Sequence, residues 1–178
     1  MTTITDVASA MQAALVNQTD AEGRVAVPGD LPTQSDQFPI LKLRVVSETK
    51  TPLGRGTPQF TTLVTIRVLG EVSEPVDPDD DILVATIQAK LLALKTQVER
   101  AIINSYPLFR IVQQLVSVQT QFAFTASAQR LAGIQSDYAF EIYEGPEDFA
   151  PVDADDLEAV DLDATNYPPA GFAANLQP

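Results

Sequence analysis

Residues 78–104 read PDDDILVATIQAKLLALKTQVERAIIN. From Asp81 onward the stretch holds no glycine or proline. Asp79, Asp80 and Asp81 stand where a helix start favours negative charge. Leu83, Ile87, Leu91, Leu94, Val98 and Ile102 recur at steps of three and four, the apolar stripe of a helix over 81–104. At 1.5 Å per residue that helix is roughly 36 Å long. Ile82, Val84, Ala85, Ala89, Leu92 and Ile103 fall outside the stripe. This surplus of apolar surface predicts a contact with another subunit as well as with the helix's own sheet. The alternative is a deeply buried helix in a monomer.

Each side of the helix carries strand patterns. In 39–49, PILKLRVVSET, Leu41, Leu43 and Val45 point one way and Lys42 and Arg44 the other. In 60–71, FTTLVTIRVLGE, Phe60, Thr62, Val64, Ile66 and Val68 share one face; Thr61, Leu63, Thr65, Arg67 and Leu69 share the opposite one. Between them TKTPLGRGTPQ is too long for a tight turn and predicts an extended polar arm over 50–59. After the helix, Pro107 disfavours helix at Tyr106. Residues 111–125 then read as a strand with Val116, Val118, Thr120, Phe122 and Phe124 inward. ASAQRLAGIQS reads as a loop, and 137–144 as the last strand.

At the start, 4–16 (ITDVASAMQAALV) is a short helix with Ile4, Val7, Ala8, Met11 and Leu15 on one side, capped by Thr3 or Thr5. A polar loop follows, in which 25–27 can add a short edge strand. The sum is an α+β domain over 1–149, in element order αββαββ. Its four-stranded, largely antiparallel sheet carries the long helix on one face. Residues 150–178 form an extended acidic, proline-containing segment.

Composition excludes much chemistry. The 178 residues include no cysteine and no histidine, which removes thiolate chemistry, the commonest general base and the commonest metal ligand. Serines therefore lack a histidine partner, and the paired carboxylates lie in loops and tail, where water surrounds them. These features predict no enzyme, no cofactor and no bound metal. No apolar run reaches the length of a membrane span, which predicts a soluble chain. Net charge is −13: residues 145–178 hold eight acids and no base, and the first 144 hold sixteen acids against eleven bases. No basic footprint for nucleic acid is visible.

Four groups of residues remain as candidates. Asp77, Asp79, Asp80 and Asp81 suggest a calcium loop, but the central glycine and closing glutamate of that loop are missing, so a solvated helix start is the plainer reading. Gly54-Arg55-Gly56 lacks the Lys-Ser/Thr of a phosphate loop; Leu53 and Arg55 at the arm's tip read instead as contacts to a partner, with an ordinary exposed arginine as the alternative for Arg55. Lys42, Arg44 and Arg67 can share one sheet face and meet an acidic surface, or simply be solvated there. Phe149, Leu157, Leu162, Tyr167 and Phe172 are spaced as anchors for a segment that gains order by lying on another surface; the alternative is a free disordered tail.

The order of elements resembles that of the tail terminator proteins of long-tailed bacteriophages. The resemblance is carried by ITDVASAMQAALV, FPILKLRVVSETK, FTTLVTIRVLGEV, ILVATIQAKLLALKTQVERAIIN and FAFTASAQRLAGIQSDYAFEIYEGPEDF, across roughly residues 1–149. It is a likeness of layout in an acidic chain without histidine or cysteine; no short diagnostic motif takes part. The resemblance implies a virion structural protein at the head-proximal end of the tail, made in the host bacterial cytoplasm. It implies a homohexameric ring that binds the last ring of tail-tube protein, stops tube growth and presents a surface to a neck or connector protein. DNA would pass through the lumen without specific binding, which a negative wall suits.

Within the same class the alternative is a head–tail connector or neck protein. From a different class it is a soluble α+β module that binds a small ligand. Mass in solution separates these classes: a stable hexamer favours the ring and a strict monomer the ligand module, although terminators can be monomeric before assembly.

Overall fold

A computed structural model describes residues 2–29, 32–34, 36–56, 58–75, 83–125 and 129–150. In chain order the elements are α1 (Ile4–Leu15), β1 (Val25–Ala26), β2 (Ile40–Pro52), β3 (Phe60–Pro75), α2 (Leu83–Ile103), α3 (Tyr106–Phe109), β4 (Gln114–Thr125) and β5 (Gln129–Glu144). A 3-10 turn, Pro146–Phe149, follows. The fold is α+β: a five-stranded mixed sheet in the order β1-β2-β3-β5-β4, antiparallel throughout except for the short parallel β1–β2 pair. The expected four strands are present, and Val25–Ala26 adds the fifth.

The core lies between one face of the sheet and the helices. Val64, Ile66, Val68 and Val72 of β3 face the same way as their register partners Phe140, Tyr138, Ser136 and Ala132 of β5, and all are buried. α2 lies across β3 and β5. The expected stripe is its buried side: Ile87, Leu91, Leu94, Val98 and Ile102 are each at most 3 % exposed. The aspartates at 79–81 lie outside the described residues. α1 packs on α2, α3 and β2 through Val7, Met11 and Leu15. Its N-terminus is a capping box: Asp6 N donates to Thr3 Oγ1 at 3.1 Å, and Thr3 N donates to Asp6 Oδ2 at 2.8 Å.

Four expectations need correction. First, the last strand starts at Gln129, not at 137. Its first half carries only Ala132, Ile134 and Ser136 inward, with Gly133 between them, so the alternation is weak; pairing with β3 makes it a strand. Second, β4 starts at Gln114 rather than 111 and is the sheet's edge. A register shift between Leu115 and Ser117 leaves Val116 bulged and 49 % exposed, and Phe122 is 44 % exposed, so neither is buried inward. Third, the chain after α2 resumes as the four-residue α3, because Pro107 sits in its first turn, where a missing N–H costs nothing. Fourth, β2 and β3 run further than expected, to Pro52 and Pro75, so the first part of the expected arm, 50–52, belongs to the ladder.

β3 and β5 pair without a break, from Phe60↔Glu144 to Pro75↔Gln129. At about 3.4 Å per residue the sixteen-residue ladder is roughly 50 Å long, while the 21 residues of α2 span about 31 Å. The ladder therefore outruns the helix that covers it.

Candidate assembly interface

The β2–β3 turn and the last described β4–β5 pair stand at opposite ends of the ladder. The turn between β2 and β3 follows the Pro52↔Phe60 pair, and the connection between β4 and β5 lies beyond Thr125↔Leu131 at the Pro75 end. The first turn is closed by Leu53 N donating to Gln59 O at 3.0 Å. Gly56 there has φ of 85°, a backbone that side chains rarely adopt. Leu53 is 55 % exposed and Arg55 is exposed beside it. These two expected contact residues sit at the tip of a projecting hairpin.

Near that tip the sheet's helix-side face becomes polar. The bulge at Val46 shifts register, so Glu48 and Lys50 fall opposite Val64 and Thr62 instead of pointing away. Lys50 pairs with Glu48 at 2.9 Å and with Glu144, which also accepts from Thr62 Oγ1. Burial works to lower the Lys50 pKa, but Glu144 and Glu48 outweigh it and hold the ammonium charged. Phe149 packs edge-on against Phe60 at 5.3 Å, with Lys50 over its ring. Phe149 thus anchors the end of the described chain on the protein's own sheet. Leu157, Leu162, Tyr167 and Phe172 lie outside the described residues.

The opposite sheet face has no helix on it among the described residues. Lys42, Arg44 and Arg67 do share it: Lys42 lies opposite Leu69, and Arg44 directly opposite Arg67. They do not form a bare basic patch. Lys42 is only 7 % exposed and pairs with Glu71 at 3.1 Å, and Glu71 also accepts from Thr33. Arg67 grips Asp137 across the ladder with two bonds of 2.7 and 2.8 Å, which raises its pKa, and Arg44 is exposed. The rest of this face is mixed, with Thr61, Thr65, Gln135 and Gln119 among Leu63, Leu69 and Tyr143.

Two further surfaces carry apolar or unpaired groups. The outer side of α2 exposes Ala85, Ala89, Leu92 and Ile103, the surplus seen in the sequence. The free edge of β4 was not singled out from the sequence, although its lack of charge was visible there. Among the described residues there is no group of three acidic residues placed to hold a metal, and Asp77–Asp81 lie outside them. A cleft of about 470 Å³ between α1, α2 and α3 has an alanine wall from Ala10, Ala13, Ala14 and Ala101, faced by the polar Gln97, Arg100 and Asn104. Tyr138, in the core, is held protonated by burial first and by Glu99 second.

The chain matches no protein-family model and no curated protein sequence.

Proposed function

We propose that this chain is a tail terminator of a long-tailed bacteriophage. It is a non-catalytic virion protein that closes into a homohexameric ring on the last ring of tail-tube protein and offers its other face to a neck or connector protein. One observation carries the reading. The unbroken β3–β5 ladder carries the β2–β3 turn at one end and the last β4–β5 pair, Thr125↔Leu131, near the other. A protein that must touch two different partners, one above and one below, needs contact points at both ends of each subunit. Leu53 and Arg55 serve one end. The exposed apolar side of α2 serves the neighbouring subunit in the ring. The net charge of −13 keeps DNA sliding through the lumen from sticking to its wall.

The test is co-assembly. Tube proteins encoded in the neighbouring reading frames are allowed to polymerise with and without the purified chain, and the products are viewed by electron microscopy. Short tubes, each with a ring at one end, are expected. Tubes that lengthen equally in both samples would sink the reading.

A further inference from the structure

The two long edges of the sheet differ in chemistry. Past the short β1, which covers Leu41 and Lys42, β2 forms one edge, carries Arg44, Glu48, Lys50 and Pro52 and is bulged at Val46. These are the devices that keep an edge strand from pairing with another chain. β4, QLVSVQTQFAFT, has no charged residue and no proline in twelve positions. Its one irregularity is the bulge at Val116, near its start, so Ser117–Thr125 pairs regularly with β5, and among the described residues no strand pairs with its other side. In a chain of net charge −13, an uncharged edge of this length is the place where a second copy meets least repulsion.

The edge is also complementary to itself. Val118, Thr120 and Phe122 lie on the helix-side face, opposite the buried Tyr138, Ser136 and Ile134. Gln119 and Gln121 lie on the other face, opposite Asp137 and Gln135. An antiparallel pairing centred on Thr120 sets Val118 against Phe122 of the second copy and Gln119 against its Gln121. The first is a β-branched–aromatic pair and the second an amide pair, and no like charges face each other. Asp137, one strand inward, is already neutralised by Arg67. Phe122, half exposed in the single chain, gains a neighbour.

We infer that β4 is a self-pairing edge, through which two free chains join about a two-fold axis near Thr120 into one continuous sheet. A six-fold ring needs head-to-tail contacts instead, so this pair is a separate state of the chain and does not rest on the terminator reading.

The test uses the full chain in size-exclusion chromatography with light scattering. The mass of two chains is expected. Gln119→Lys combined with Gln121→Lys puts like charges face to face across the axis and is expected to leave one chain, with recovery of the pair at high salt. Thr49→Lys with Thr51→Lys, on the β2 edge, should leave the mass unchanged. The protein has no cysteine, so Thr120→Cys should oxidise to a disulfide-linked dimer in high yield. That variant keeps the test decisive if the lysine pair fails to fold. A single-chain mass at every concentration overturns the inference, as does an oligomer indifferent to the β4 lysines or one dissolved equally by the β2 pair. A six-chain mass of that last kind would support the ring while refuting the two-fold edge.

Discussion

Gly70 and Ile134 face each other across the β3–β5 ladder, and a Cβ on Gly70 would stand 2.8 Å from Ile134 Cγ1 and 3.3 Å from Leu41 Cδ2. The missing side chain is what lets Ile134 and Leu41 close over the middle of the sheet. Gly70→Ala is expected to cost about 1–3 kcal/mol through overpacking. Combined with Ile134→Ala, it should cost less than the two single changes added together. Denaturant unfolding of the four proteins in the cycle measures this, and simple additivity would contradict the contact.

Leu91 is fully buried at the middle of α2, against β3 and β5. Leu91→Ala should lose about 2–5 kcal/mol, by transfer of the side chain and by the cavity left behind. Leu92→Ala, one residue on and half exposed, should lose much less. Equal losses would mean that α2 is rotated from the orientation described.

The cap at Thr3 makes a pH prediction. Asp6 accepts hydrogen bonds from Thr3 N and Oγ1, and these hold its pKa below the usual carboxylate range. The ionised form is therefore favoured in the folded state. Its contribution is present above the unfolded pKa and is lost as pH falls through the lower folded value. Asp6→Asn should melt below wild type at neutral pH, and the gap should close in strong acid. A gap that widens in acid would contradict the cap.

The tip of the β2–β3 hairpin contributes little to the core, since Leu53, Gly54, Arg55 and Gly56 are all exposed. Replacing 53–59, the loop beyond the Pro52↔Phe60 pair, with a two-residue Asn-Gly turn should leave the melting curve near wild type. If the tip is a contact with the tube, capping in the co-assembly experiment should fail. Full capping by this variant would remove the tip from the interface.

Among the described residues, the buried cluster runs from Val7 to Ile142, and residues 151–178 follow it in sequence. Deleting them should leave the melting temperature close to wild type, because Phe149 and its partners Phe60 and Lys50 are retained. It should weaken ring formation on tube ends if the acidic segment lies on a neighbouring subunit. A truncated chain that fails to fold would show that the segment belongs to the core.

The legible parts of the fold were those with strong periodicity. The stripe from Ile87 to Ile102 and the alternation in 60–71 each concern one element against one surface, and both appear as read. What escaped depended on neighbours. The bulge at Val46 sends Lys50 to the face opposite that expected from the alternation at Lys42 and Arg44. The first half of β5 is a strand because β3 holds it in register, not because Ala132, Gly133 and Ser136 favour one. Among candidate contacts, the common face of Lys42, Arg44 and Arg67 followed from alternation alone. Their partners did not, because Glu71 and Asp137 are far from Lys42 and Arg67 in sequence and become neighbours only through the register.

The unbroken β3–β5 ladder also sets how the subunit bears load. Its hydrogen bonds lie across the strands. Tension applied along the strands, between the 53–59 turn and the far end of β5, would strain those bonds in shear and share the load along the whole sixteen-residue length. A pull on one end of β4, at right angles to the strands, would instead open the β4–β5 bonds one after another, like a seam. The subunit is therefore stiff along the length of the ladder and compliant across its uncharged edge.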